Sequence, residues 1–66
     1  MHVTLNGELT DIAEGSTVAG LLEHLQLHRE RVAVEVNLDI VPKVAYDGHG
    51  LADGDRIEIV HFVGGG

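Results

Sequence analysis

Three consecutive glycines, Gly64-Gly65-Gly66, close the sequence. Without Cβ atoms, such a run can follow an extended path through a channel too narrow for side chains. Four or five extended residues reach about 14–18 Å, enough to carry a terminal group into another protein's active site. The group delivered would be the Gly66 carboxylate. A terminal carboxyl of ordinary pKa, about 3.5, is ionised at neutral pH. Because a carboxylate resists nucleophiles, transfer chemistry at Gly66 requires prior activation, most economically as a mixed anhydride with a phosphate. Taken alone, a glycine end also reads as a plain solvated tail. Here the run directly continues a predicted strand, follows an apolar pair, and ends a chain poor in other catalytic groups.

Those other groups have simpler roles. Ser16 stands before an apolar helical stripe, where a hydroxyl caps free N–H groups, and no partner base is evident to make it a nucleophile. His24 and His28 have the i, i+4 spacing of a two-imidazole metal site, but no third ligand follows at a usable spacing. They read as solvated residues around a helix end. His2, His49 and His61 are isolated in the sequence. Asp53 and Asp55 flank Gly54, which suits a hydrogen-bonded turn; the other positions of a calcium loop are missing.

The 66 residues suffice for one domain with a modest core. A domain at residues 1–63 followed by a flexible glycine tail at 64–66 is the expected division. Cysteine is absent, so no disulfide or thiolate metal site can supplement packing. Eleven carboxylates against four Lys and Arg give a formal charge of -7, a field that repels phosphate backbones and steers basic protein surfaces toward the chain. Nucleic acid is therefore not expected as a partner. The longest apolar runs are far shorter than the roughly 20 residues that cross a bilayer, and no basic segment precedes one. No membrane partner is expected, and a cytoplasmic location is. The only aromatics are Tyr46 and Phe62, which points to an aliphatic core.

The elements that must position the tail follow from periodicity. Met1 to Asn6 alternates as a half-buried strand, with Val3 and Leu5 on one face. Asn6-Gly7 tolerates positive φ at both central turn positions, which predicts a hairpin to a second strand near Glu8 to Ile12. Val18, Leu21, Leu22 and Leu25 fall at i, i+3, i+4 and i+7, one stripe of a helix capped by Ser16 or Thr17. Val32, Val34 and Val36 alternate as a third strand. Asn37-Leu38-Asp39 is turn-like, and Ile40-Val41 forms a short fourth strand that Pro42 stops. After the Asp53-Gly54-Asp55 turn, a last strand runs from Arg56 to about Val63 with Ile57 and Ile59 inward. Strict alternation puts Val60 and Phe62 outward beside the tail, as a docking surface. One helix on one face of a mixed sheet covers these patterned faces, so the expected class is α+β with a β-grasp arrangement.

Three segments carry a resemblance that spans essentially the whole chain. They are Asn6-Gly7-Glu8; Val32-Ala33-Val34-Glu35-Val36-Asn37 with Ile40-Val41-Pro42; and Asp53-Gly54-Asp55-Arg56-Ile57-Glu58-Ile59-Val60 with Val63-Gly64-Gly65-Gly66. Together they resemble the sulfur carrier family of thiamin biosynthesis, ThiS. Lys43 departs from the arginine common after that proline; it keeps the charge without the planar fork. The resemblance implies a ubiquitin-like β-grasp fold. It also implies a cycle in which an E1-like adenylating enzyme, using ATP and magnesium, adenylates Gly66. A sulfur donor protein then displaces AMP to leave a thiocarboxylate, and thiazole synthase accepts the sulfur. On this reading the chain holds no cofactor and is a carrier acted on by enzymes. Gly66 carries the sulfur, Gly64 and Gly65 form the arm, and Val60, Phe62 and Val63 dock partners. Two alternatives stay open: a carrier resembling the molybdopterin-synthase small subunit, and a non-catalytic β-grasp interaction domain.

Overall fold

The computed structural model describes residues 1–62. Strands β1 (His2–Leu5) and β2 (Glu8–Asp11) pair antiparallel with Leu5 opposite Glu8. The turn between them has Asn6 at φ 48° and Gly7 at φ 85°, as the dipeptide predicts. The right-handed twist of the flanking strands favours this turn geometry, and only residues tolerant of positive φ form it cheaply.

Helix α1 (Val18–His24) begins at Thr17, whose hydroxyl oxygen accepts the Gly20 N–H at 3.1 Å. Ser16, the other candidate cap, instead donates its hydroxyl to the Ala13 carbonyl at 2.6 Å. Val18, Ala19, Leu21 and Leu22 are buried, but the apolar stripe stops short of the expected Leu25, which is the C-cap and lies exposed. The reason is a chain reversal. Gln26 turns to φ 60°, and the Gln26 and Leu27 N–H groups donate back to the carbonyls of Glu23 and Leu22 at 3.0 and 2.9 Å. This double closure of a helix end satisfies carbonyls that would otherwise lack donors and returns Leu27, instead of Leu25, to the core.

A short 3-10 turn over Arg29–Arg31 leads into β3 (Val32–Val36), which pairs with β4 (Asp39–Val41). The final strand is β5 (Arg56–His61), and the sheet order is β2-β1-β5-β3-β4. β5 runs parallel to β1 and antiparallel to β3, so the sheet is mixed. The α+β class and β-grasp arrangement expected from the sequence are thus observed. Val32, Val34, Val36, Ile57 and Ile59 face α1, and each buried aliphatic side chain contributes about 1.5–3 kcal/mol relative to exposure.

One aromatic corrects the aliphatic expectation. Tyr46, in the irregular segment before β5, is 1% exposed and is the largest fully buried side chain. Its carbonyl accepts the Ala19 N–H at 3.0 Å, which ties that segment to the first turn of α1. The Arg29 guanidinium lies 5.8 Å from the ring centroid and donates two hydrogen bonds to Asp47, both at 3.0 Å. Tyr46 carries no helical or strand periodicity in its neighbours, so burial there depends on how the loop folds back.

The β3–β4 turn places Asn37 at φ 53° and Leu38 at φ 74°. A leucine in the left-handed region crowds its Cβ against the backbone at a cost of about 1–2 kcal/mol. Its side chain is 71% exposed, so little burial offsets that strain. Leu38→Gly is expected to raise stability by about 0.5–1 kcal/mol, read as a higher urea midpoint at unchanged slope. A second expectation concerns acid. The Arg29 hydrogen bonds hold the Asp47 carboxyl below its ordinary range. A depressed folded pKa stabilises above the unfolded value, and that stabilisation is lost as pH falls through the folded value. Asp47→Asn should therefore be less stable than the parent at neutral pH, with the gap closing below about pH 4 in thermal melts.

Candidate functional site

The site is the C-terminal end of β5. Side chains alternate along this strand, so Ile57 and Ile59 point into the core while Arg56, Glu58 and Val60 point out. The Phe62 N–H donates to the Arg31 carbonyl at 2.9 Å, so backbone pairing with the β3 side continues one residue past the strand. On the other edge, β1 ends at Leu5 opposite Ile57. There the Asn6 side chain takes over: its Oδ1 accepts the Ile59 N–H at 2.8 Å and its Nδ2 donates to the Ile59 carbonyl at 3.3 Å. A side-chain amide thus replaces one rung of a missing strand. β5 is held on both edges as far as Ile59 and on one edge to Phe62.

The outward residues make an apolar surface. Val60 is 60% exposed, Phe62 54% and Ile40 74%. Val60 stands opposite Ala33, and Ile40 stands opposite Glu35, so these residues share the face away from α1. Where β4 departs at Pro42, an open notch of about 190 Å³ is left, with Ala33, Ile40, Pro42, Lys43 and Phe62 among its walls. The Lys43 ammonium sits 5.2 Å from the Phe62 ring centroid, within cation–π range. This contact gives Lys43 a local role that its position after a proline did not reveal.

The placement of Val60 and Phe62 follows the alternation expected from the sequence. Val63, Gly64, Gly65 and Gly66 lie outside the described residues. Ile40, Pro42 and Lys43 join this surface only in the folded structure. The signal for Ile40 was present, because a two-sided strand buries only one member of an Ile-Val doublet, and Val41 is the buried one.

The other candidates go elsewhere. His24 closes α1 and His28 precedes the 3-10 turn, so the pair does not share one helix face. Among the described residues no three metal-ligating side chains converge. Asp53 accepts the His2 N–H at 2.7 Å, and Asp55 accepts from Ala52 N–H and Asn37 Nδ2 at 2.8 and 3.0 Å. These aspartates brace the turn into β5. A hollow of about 320 Å³ between the end of β2 and α1 is lined by Asp11, Ser16 and His24, among others. Its Ser16 hydroxyl is engaged by the loop carbonyl described above.

A sequence model of the ThiS family matches residues 3–66. The chain belongs to the ThiS family. The sulfur carrier protein ThiS of Bacillus subtilis is 50% identical over 50 residues, which cover 76% of each chain. The crystal structure of the thiamine biosynthesis protein ThiS from Geobacter metallireducens superposes with a TM-score of 0.86 at 36% identity, covering all of both chains. That likeness gives the ubiquitin-like β-grasp fold. A thiazole synthase of Paramagnetospirillum magneticum is 46% identical over 66 residues, all of this chain and 20% of that protein. The chain therefore spans about a fifth of that thiazole synthase.

Within this ThiS-family chain, the Lys43–Phe62 contact is open to direct measurement. Lys43→Gln is expected to cost about 0.5–1 kcal/mol in urea denaturation. Lys43→Arg should retain the stability, because a guanidinium also stacks on an aromatic face.

Proposed function

We propose that this chain is a sulfur carrier of thiamine biosynthesis whose reactive group is the Gly66 carboxylate. The observation that carries the reading is β5 itself. It is locked into the sheet through Phe62, it leads in sequence to the glycines, and it presents an apolar face at its C-terminal end. A rigid strand ahead of a side-chain-free arm suits a carrier, since the scaffold fixes direction and the arm supplies reach. Membership of the ThiS family and the sulfur-carrier name of the Bacillus subtilis relative support the same reading.

In the cycle, a Gly66 carboxylate oxygen attacks the α-phosphorus of ATP on an E1-like adenylating enzyme, and pyrophosphate leaves. A donor protein then supplies sulfur at the sulfide level, and its attack on the acyl carbon expels AMP. The product is a thiocarboxylate, a better nucleophile than the carboxylate. Thiazole synthase accepts the sulfur, a partnership supported by the thiazole synthase relative that contains a stretch similar to this whole chain. ATP and magnesium serve the adenylating enzyme. The chain is a co-substrate in the cytoplasm, and its own side chains perform no bond-making step. Val60, Phe62 and Val63 dock the partners, while Gly64 and Gly65 thread their channels. The thiamine-pathway relatives favour this branch over delivery of sulfur to a pterin.

Coexpression with the adenylating enzyme and a sulfur source, followed by intact mass, is the direct test. An oxygen-for-sulfur exchange confined to Gly66 is the expected result, and its persistent absence under competent conditions would refute the proposal. Deleting Gly65 and Gly66 should leave the melting temperature within about 1 °C of the parent while abolishing sulfur transfer. A non-catalytic interaction domain would instead keep its function after that deletion.

A further inference from the structure

The dipeptide that turns the first hairpin carries a covalent chemistry of its own. When glycine follows asparagine, no side chain shields the glycine nitrogen from the asparagine amide. Asn6 and Gly7 are both exposed, and the Gly7 N–H donates to no acceptor among the described residues. In the reaction open to such a pair, the Gly7 nitrogen gives its proton to solvent base and attacks Asn6 Cγ. A C–N bond closes a five-membered imide, and the Cγ–Nδ2 bond breaks as that nitrogen leaves with a proton as ammonia. Water then opens the imide at either carbonyl. The products are aspartate or, with the main chain rerouted through the side chain, isoaspartate, and no oxidant or reductant is needed.

The fold holds the attacked group elsewhere. Asn6 Oδ1 accepts the Ile59 N–H at 2.8 Å, and Nδ2 donates to the Ile59 carbonyl at 3.3 Å. Both polar atoms of the amide are thus engaged by one residue of β5, which fixes the side-chain torsions. Cyclisation requires the amide to leave these bonds and turn its carbon onto the Gly7 nitrogen. The Asn6 N–H also donates to the Ile57 carbonyl at 2.9 Å, so the turn is tied to β5 through its backbone as well. Neither product can restore the clamp. A carboxylate only accepts, so one oxygen can serve the Ile59 N–H while the other confronts the Ile59 carbonyl oxygen and leaves it without its donor. Isoaspartate also lengthens the main chain of a two-residue turn whose geometry sets the strand register.

We propose that Asn6 is a deamidation site gated by β5. While the Ile59 bonds are made, the amide persists; opening the C-terminal end of β5 releases it, and a single reaction makes that opening permanent. Val60 follows Ile59, so the change reaches the exposed apolar surface. The inference goes beyond the carrier reading and stands without it. Asn37 provides an internal comparison, since it too sits at positive φ and bonds β5, but Leu38 follows it and shields the nitrogen.

Incubation of the whole chain in mildly alkaline buffer, with guanidinium chloride from none to fully denaturing, tests this, with peptide masses and ammonia release as readouts. In denaturant Asn6 is expected to convert while Asn37 stays intact. The native chain should convert at Asn6 at least about tenfold more slowly. Hydrogen exchange of the Ile59 N–H should rise in step with Asn6 conversion as denaturant is added below the unfolding transition. Asn6→Asp is expected to melt about 4–8 °C below the parent and to exchange the Ile59 N–H at least about tenfold faster. An Asn6 that stays intact in denaturant would overturn the site. Native conversion within about twofold of the denatured rate would overturn the gate. An Asn6→Asp chain that matches the parent in melting and in Ile59 exchange would overturn the loss of the clamp; should that variant not fold, the deamidated parent, purified by charge, supplies the same two readouts.

Discussion

Every other feature of this structure depends on β5 being paired on both edges, because one six-residue strand must serve as the middle of the sheet and also carry the outward apolar surface at Val60 and, just past its end, Phe62. Its inward isoleucines close the core against α1, and its backbone joins β1 to the β3–β4 hairpin. A strand in that position cannot slip by one residue. A slip would exchange Ile57 and Ile59 for Glu58 and Val60 on the core face, and a buried carboxylate without a partner is costly. The register of the core therefore also sets the register of the exposed surface near the exit.

Two asparagines guard that register where regular pairing runs out. Asn6 and Asn37 both occupy turns at positive φ, and each turns its side chain onto β5. Asn6 closes Ile59 on the β1 side beyond the last parallel pair, while Asn37 Oδ1 accepts the Arg56 N–H at 2.9 Å on the β3 side. Asn37 also donates to Asp55, which itself braces the turn into the strand. The same residue type solves two problems, since asparagine tolerates the left-handed backbone of a tight turn and carries an amide that can stand in for a peptide group. Neither role needs a larger protein, which matters in a domain with so small a core.

The surface shows the opposite economy. Leu38, Ile40, Val60 and Phe62 are all exposed, although a chain of this size has little apolar surface to spare. Leu38 is held in a strained backbone position without burial in return. Apolar groups kept outside at a cost to the free chain make physical sense when another surface covers them.

The hairpin at Asn6-Gly7, the α1 stripe, the valine face of β3 and the inward isoleucines of β5 were all legible in the sequence, because each depends on local turn chemistry or on one period of alternation. Outward Val60 and Phe62 followed from that same alternation. Three things depended on parts of the chain distant in sequence. Tyr46 entered the core because its loop folds back on the first turn of α1, and Leu25 left it because the reversal at Gln26 brought in Leu27. Lys43 met Phe62 only when β4 ended beside the C-terminal end of β5. Periodicity tells which face a residue occupies; which strand lies next to it is decided by how the whole sheet closes around its core.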